Sequence, residues 1–135
     1  MSRVARIGLK RVYEAPSPDD GTRILVERLW PRGLSKERAA VDVWLKDVAP
    51  SPALRTWYGH DPAKWTEFRR RYRDELRSRP DELQRLEDLV RLGPVTFVYA
   101  ARDPERNSAR VLMETLEAGR AGAEPRPDTE ARRAG

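Results

Sequence analysis

The sequence predicts an α/β fold in which helices flank a small sheet. Apolar segments with strand character lie near both ends of the chain, and amphipathic helix patterns fill the middle. A length of 135 residues fits one compact domain. We expect this domain over residues 1–118 and a disordered C-terminal tail over residues 119–135, because the tail contains no large apolar residue.

Two strands are predicted in the N-terminal part. Residues 4–13 and 23–30 carry apolar and β-branched side chains, and residues 14–21 between them are rich in Pro, Asp and Gly. This short connection favours an antiparallel pair. Alternation along the second strand places four side chains on one face: Ile24, Val26, Arg28 and Trp30.

Capping side chains predict where the first central helices begin. Ser35 is the expected N-cap of a helix to about Asp47. Its inward face would consist of Val41, Trp44, Leu45 and Val48. Ser51 and Asp61 are each followed by proline, which favours a helix start at both places. The helix after Asp61 carries an apolar stripe of Trp65, Phe68, Tyr72 and Leu76.

In the C-terminal half, the sequence predicts two more helices, one before and one after a single strand. Residues 78–81 resemble a capping box, and the stripe that follows consists of Leu83, Leu86, Leu89 and Val90. Residues 94–101 are apolar on both faces, which is typical of a central strand covered by helices on both sides. Asp103 is the expected cap of the last helix, whose inward residues would be Val111, Leu112, Thr115 and Leu116.

The composition excludes several kinds of site. The chain has no cysteine, so disulfides, thiolate metal ligands and thiol nucleophiles are ruled out. No apolar run approaches the roughly 20 residues of a membrane span, and the N-terminus lacks the apolar core of a signal peptide. We therefore expect a cytoplasmic protein without a membrane partner. No phosphate loop or metal motif is present, and we expect no cofactor and no metal.

The basic charge is weak support for nucleic-acid binding. The net charge is +5, but 23 of the 27 basic residues are arginine, a bias that a GC-rich coding sequence also produces. Arginines cluster in residues 69–79, where three i,i+4 pairs, Glu67–Arg71, Arg70–Asp74 and Arg71–Glu75, would partly neutralise them. A nucleic-acid-associated module on this helix is therefore the weaker alternative to a small-molecule site.

The first candidate site follows the second strand, in the segment RLWPRG. Ligands of open α/β sheets bind beyond the carboxyl ends of the strands. Arg28 and Arg32 can hold a phosphate or a carboxylate there through bidentate hydrogen bonds, and Trp30 can supply a stacking wall. The alternative is structural, with Arg28 paired to an acid and Trp30 in the core.

The second candidate site follows the strand over residues 94–101, where a helix begins. N–H groups at a helix N-terminus attract anions. Tyr99 can donate a hydrogen bond into the crevice, and Asn107 and Ser108 in the first turn of the helix can reach it too. Asp103 can act as the helix cap alone. If the two strands are neighbours, both candidate sites merge into one pocket.

His60 is the only histidine and a candidate general base, with Asp61 beside it. Adjacent residues rarely face each other, so a structural or binding role is favoured. An enzyme would need a proton-transfer group, and the attractive choices are His60, Lys46, Asp103 and Tyr99. Another alternative is a non-catalytic protein-interaction domain with Trp57 and Tyr58 on an exposed contact surface.

Three motifs, in this order, resemble the YeaO-like branch of the bacterial domain-of-unknown-function 488 (DUF488) family. They are RILVERLWPRG at 23–33, VWLKDVAPSPALRTWYGHDPAKWTEF at 43–68 and FVYAARDPERNSA at 97–109. The resemblance covers about residues 6–118. It implies a bacterial cytoplasmic α/β domain without an established biochemical function. The family's motif positions map onto Arg28, Trp30, Pro31, Arg32, Gly33, Trp44, Lys46, Ser51, Arg55, Gly59, His60, Tyr99 and Asp103.

The resemblance also bears on topology and chemistry. Longer relatives carry a helix between the first two strands, which implies a mostly parallel sheet rather than the antiparallel pair expected above. Those relatives tend to place a cysteine near Tyr99 and a Cys-His pair near Asn107. This sequence has neither, so the resemblance carries no thiol or metal chemistry over to it.

The leading hypothesis is a site for a small anionic molecule at the carboxyl ends of the strands. Arg28, Arg32 and the helix after Asp103 would supply its charge. With the motif positions included, the candidate ligand-binding residues are Arg28, Trp30, Arg32, Lys46, Arg55, His60, Tyr99, Asp103 and Asn107.

Overall fold

The domain is built around a four-stranded parallel sheet, and the predicted α/β fold class is confirmed. The computed structural model describes residues 7–122. The strands are β1 (Ile7–Arg11), β2 (Thr22–Leu25), β3 (Val43–Trp44) and β4 (Val95–Tyr99). The helices are α1 (Lys36–Ala39), α2 (Pro52–Tyr58), α3 (Trp65–Arg77), α4 (Pro80–Leu92) and α5 (Ser108–Gly122). Single 3-10 turns lie at Pro18–Asp20, Lys46–Val48 and Pro62–Lys64.

The strand order is β1-β4-β2-β3, and every pair is parallel. The antiparallel pair expected for the first two strands is therefore wrong, and the parallel sheet implied by the resemblance is confirmed. A short connection decides orientation only for neighbouring strands, and here β4 lies between β1 and β2. At about 3.3 Å per residue, residues 12–21 are long enough to return along β1 and cross two strand spacings of about 4.8 Å.

Both faces of the sheet are covered, so β4 is buried along its whole length. Phe97 and Tyr99 pack into the main core with side chains from α2, α3, α4 and α5. Val98 points to the opposite face and joins a smaller cluster with Leu25 and Ala39. The prediction of a central strand over residues 94–101 is confirmed.

The second strand is shorter than predicted. The N–H of Val26 still donates to the carbonyl of Val98 at 3.3 Å, but β2 itself ends at Leu25. Trp30 packs against the smaller cluster, whereas Ile24 and Val26 lie in the main core. The predicted common face for these residues is wrong, because alternation holds only while the chain stays extended.

The long helix predicted from Ser35 to Asp47 is also wrong. Ser35 does cap α1, since its hydroxyl accepts from the N–H of Arg38 at 3.2 Å, but α1 has only four residues. Ala40 then adopts a left-handed φ of 50°, and the chain pairs with β2 as strand β3. Hydrogen bonding to the open edge of the sheet replaces the helical bonds that the apolar spacing predicted.

The middle helices follow the prediction. Ser51 caps α2, and Asp61 caps the 3-10 turn that leads into α3. The α3 stripe faces the core: Phe68, Tyr72 and Leu76 are buried and Trp65 is partly buried. On α4 the core-facing residues are Leu83, Leu86, Leu89 and Val90, again as predicted.

Two predicted caps are wrong. The hydroxyl of Ser78 donates to the carbonyl of Glu75 at 2.6 Å, so it closes α3 instead of starting α4. The last helix is capped by Asn107, whose side-chain oxygen accepts from the N–H of Arg110 at 2.9 Å, and Asp103 lies one turn earlier. Its predicted inward residues Val111, Leu112 and Leu116 are buried. Helix α5 continues to Gly122, and the rest of the predicted tail, residues 123–135, lies outside the described residues.

Candidate functional site

A cleft of ≈ 230 Å³ opens where β2 and β4 end. These two strands are hydrogen-bonded neighbours, which is the condition under which the two predicted sites merge. The polar residues that line the cleft are Glu27, Arg55, His60, Arg106, Asn107 and Ser108. Its apolar surface comes from Pro50, Tyr58, Phe68, Ala100 and Ala101. A pocket therefore lies at the predicted edge of the sheet, and half of these six polar residues, Arg55, His60 and Asn107, are among the candidate ligand-binding residues.

Glu27 is the acidic side chain among the lining residues. Its Oε2 accepts from the N–H of Ala100 at 3.0 Å, and its carbonyl accepts from the indole N–H of Trp44 at 2.7 Å. The side chain thus joins the chain segments that follow β2 and β4. Burial raises the pKa of Glu27, while the Ala100 hydrogen bond and the charges of Arg55 and His60 oppose that shift.

Sequence reasoning missed Glu27 because strand alternation grouped it with Leu25 and Leu29, away from the expected site. The signal was present: Glu27 is the one acidic residue in the apolar run from Ile24 to Trp30. Charged side chains are rarely buried without a partner, so an acidic residue at the end of a buried strand indicates a candidate functional position.

Helix α2 brings Arg55 and Tyr58 to the cleft. Tyr58 is buried and stacks on Phe68, with ring centroids 4.4 Å apart. Gly59 ends the helix in a left-handed conformation with φ of 53°, and its N–H donates to the carbonyl of Arg55 at 3.0 Å. His60 follows, also with a positive φ of 59°.

A positive φ is unusual for a residue other than glycine, although histidine is among those that tolerate it. Such a conformation costs on the order of 1 kcal/mol and persists where the surrounding structure imposes it. Here the turn that imposes it places the exposed imidazole of His60 at the cleft, 6.1 Å from the Tyr58 ring, centroid to centroid.

The opposite wall is the segment before and at the start of α5. The carboxylate of Asp103 accepts from the N–H groups of Glu105 and Arg106 at 2.8 and 3.0 Å, which lowers its pKa. The side-chain amide of Asn107 donates to the carbonyl of Asp103 at 2.9 Å. These bonds fold the loop so that Arg106 and the first residue of α5, Ser108, border the cleft.

Of the residues predicted from sequence, Arg55, His60 and Asn107 meet in this cleft. Arg28 and Arg32 do not converge, so that prediction is wrong. Arg28 donates to the carbonyl of Ala49 at 3.2 Å and lies 3.7 Å from a carboxylate oxygen of Asp47, on a separate open groove. Arg32 is exposed, and its carbonyl accepts from the hydroxyl of Tyr13 at 3.1 Å. The chain turns away after Leu25, which sends the two guanidinium groups to different surroundings.

The other predicted positions also lie outside the cleft. Trp30 packs edge to face on Trp44 at 5.4 Å and donates to the carbonyl of Leu34 at 2.7 Å, which matches the structural alternative. Lys46 places its ammonium 4.4 Å from the centre of the Trp44 ring. Tyr99 is buried in the main core, and burial raises its pKa.

The arginine-rich helix is ion-paired, as the sequence indicated. Arg70 contacts Glu67 and Asp74, and Arg71 contacts Glu67 as well. Hydrogen bonds from these two arginines lower the pKa of Glu67 to about 2. The other arginines in residues 69–79 also have carboxylate partners, which are Glu114, Asp74 and Glu75.

Of the two rings proposed for an exposed protein-interaction surface, one is buried and the other is partly buried. Tyr58 is 7% exposed, and Trp57 is partly buried. Lys64 and Arg71 lie over the Trp57 ring at 5.0 and 4.3 Å from its centre. The burial of Tyr58 and the cations over Trp57 count against a contact surface made by these two rings.

Two absences hold for residues 7–122. No helix in that range is both long and apolar enough to cross a bilayer. Within the same range, no three His, Cys, Asp or Glu side chains are grouped as a metal ion would require.

Comparison with known proteins agrees with the motifs. Residues 6–132 match the family model described as "Inactive DUF488-N3 subclade". An uncharacterized protein of Mycobacterium tuberculosis, Rv3073c, is 45% identical over 116 residues, which are 86% of this chain and 98% of that protein. The uncharacterized protein YeaO of Escherichia coli is 40% identical over 110 residues, 82% of this chain and 96% of YeaO. No solved structure is significantly similar to this chain. Both the family match and the extent of these similarities show that the chain belongs to the DUF488 family, within the subclade described as inactive.

Proposed function

We propose that this protein binds a small anionic molecule in the cleft between the ends of β2 and β4. The observation that carries the proposal is the meeting of Arg55, Arg106 and the first turn of α5 around one opening. Both guanidinium groups are permanently charged, and a helix of this length adds partial positive charge at its N-terminus. Phosphate and carboxylate groups suit such an environment because each accepts several charge-assisted hydrogen bonds.

The size of the cleft limits the ligand. A volume of ≈ 230 Å³ is below the range of about 300–1,000 Å³ usual for drug-sized ligands. The apolar part, with Tyr58 and Phe68, leaves room for a few carbon atoms beside the charged group. The family description as inactive agrees with binding in place of turnover.

Titration of the ¹⁵N-labelled protein with a panel of small anions tests the proposal. The panel consists of propionate, lactate, ethyl phosphate and 2-hydroxyethyl phosphate, and the readout is the amide shift at each residue. We expect saturable shifts at His60 and Ser108 with at least one anion. In Arg55→Met, affinity for that anion should fall about tenfold or more, since a hydrogen bond to a charged group contributes about 1.5–3 kcal/mol.

Arg85 provides the matched control, because it is an exposed arginine on α4 outside the cleft. Arg85→Met lowers the net charge of the protein by the same amount and should leave the affinity unchanged. Equal losses in both variants would mean that the anion responds to net charge only. That result, or shifts confined to residues away from the cleft, would refute the proposed site.

A further inference from the structure

We propose that the ligand carries a hydrogen-bond donor, a hydroxyl or an amine, next to its anionic group, and that Glu27 binds this donor. The inference rests on the proposed function and deepens it, because it specifies which small anions the cleft selects. Its basis is the position of one carboxylate in a cleft whose other charged groups are cationic.

The carboxylate of Glu27 has one oxygen already in use. Oε2 accepts from the N–H of Ala100, whereas among residues 7–122 no hydrogen bond reaches Oε1. A second hydrogen bond holds the residue in place, because the backbone carbonyl of Glu27 accepts from the indole N–H of Trp44. The side chain is therefore fixed at the cleft with one oxygen left to accept a further hydrogen bond.

Binding of an anion that lacks a hydrogen-bond donor would be unfavourable next to this carboxylate. Two negative groups in a small, partly desolvated cleft repel each other, and neither can supply the proton of a hydrogen bond between them. A ligand hydroxyl or amine removes the difficulty because it donates to Oε1 while the anionic group contacts Arg55 and Arg106. Burial already raises the pKa of Glu27, so its carboxylate form is poorly solvated and gains from such a donor.

The charge arrangement also gives the ligand an orientation. Glu27 follows β2, whereas Arg106 and Ser108 belong to the segment at the start of α5. A ligand with its donor toward Glu27 would direct its anionic group toward the start of α5. Hydroxylated or aminated short-chain acids and hydroxyalkyl phosphates have these two groups a few bonds apart.

Matched probes test the inference on the wild-type protein. Lactate differs from propionate, and 2-hydroxyethyl phosphate from ethyl phosphate, by one hydroxyl group. We expect the hydroxylated member of each pair to bind about fivefold more tightly or better, which is the effect of one hydrogen bond of ordinary strength. Equal or weaker binding of the hydroxylated members would overturn the inference.

Glu27→Gln supplies the second test. Glutamine keeps an oxygen that can accept from Ala100 and presents an NH₂ group where Oε1 was. Selectivity for the hydroxylated probes should then disappear or reverse, since the new group donates and favours an additional acceptor. Unchanged selectivity in this folded variant would also overturn the inference.

The outcomes separate this inference from the proposed function. Equal binding of both members of each pair, weakened by Arg55→Met, would leave anion binding in place and remove only the role of Glu27. The absence of any Arg55-dependent shift with all four probes would remove both.

Discussion

Replacing Ser51 by alanine should lower the free energy of unfolding by about 2–3 kcal/mol. Ser51 is the N-cap of α2, and its hydroxyl accepts from the N–H of Leu54 at 3.1 Å. The same hydroxyl donates to one carboxylate oxygen of Glu75 at 2.5 Å, while the Ser51 N–H donates to the other at 2.8 Å. One side chain thus starts α2 and fastens it to α3.

The magnitude follows from the two hydroxyl bonds. Loss of an N-cap costs about 1 kcal/mol. Loss of a hydrogen bond to a charged group costs about 1.5–3 kcal/mol, and the lower end applies here because the Glu75 side chain is 25% exposed. The Ser51 N–H still contacts Glu75 in the variant. In a domain of this size the sum corresponds to a Tm lower by about 10 °C.

Urea denaturation followed by circular dichroism measures the change, and Ser35→Ala is the matched control. Ser35 caps α1 in the same way, accepting from the N–H of Arg38 at 3.2 Å, but its side chain contacts no carboxylate among residues 7–122. We expect it to cost about 0.5–1 kcal/mol. A double-mutant cycle of Ser51→Ala with Glu75→Gln should give a coupling of about 1 kcal/mol. Equal costs at the two serines, or a coupling near zero, would refute the reasoning.

Three further changes test the fold around the sheet. Gly21→Ala should lower the free energy of unfolding by more than about 3 kcal/mol in urea denaturation, because φ is +63° and a Cβ there would lie 2.2 Å from the carbonyl oxygen of Pro94. The control is Gly33→Ala, which should cost only about 1 kcal/mol because φ is +75° but a Cβ there would meet open space. Arg23→Met should destabilise by about 3–5 kcal/mol, since it removes a buried guanidinium that donates to two backbone carbonyls and one carboxylate. Glu27→Gln should stabilise the protein at pH 7, because burial raises the pKa of this carboxyl above its ordinary 4.5 and its ionised form is disfavoured in the folded state. Stability curves at several pH values should show this advantage absent below pH 4.5 and growing as the pH rises through the raised pKa; a constant advantage at all pH values would contradict it.

Local patterns in the sequence predicted much of the core. The α3 stripe from Trp65 to Leu76 faces inward because helical periodicity is set within the helix itself. The sequence predicted a central strand at residues 94–101 because the segment is apolar on both faces. The structure confirms it, since β4 is covered on both sides. Ser51 and Asp61 cap where they were expected, since capping involves residues only two or three positions apart.

A cleft lies at the predicted edge of the sheet, and three of the nine candidate ligand-binding residues line it: Arg55, His60 and Asn107. The position of a cleft could be predicted because crevices in open α/β sheets lie outside the carboxyl ends of the strands. Arg28 and Glu27 are adjacent in sequence, yet only Glu27 lines the cleft. The residue at which β2 ends decides which of the two side chains faces the cleft, because a shift of one residue moves a side chain to the other face of the sheet.

The amino-acid sequence by itself determined the helix stripes, most helix starts, the central strand and the family, because these depend on neighbours within a few positions or on motifs in order. Tertiary structure alone decided that β4 lies between β1 and β2, that residues 43–44 form a strand, and that Glu27, Arg55 and Arg106 share one cleft. The physical reason is that pairing across a sheet joins segments far apart in the chain. The free energy of that pairing outweighs local preferences and sets which side chains meet.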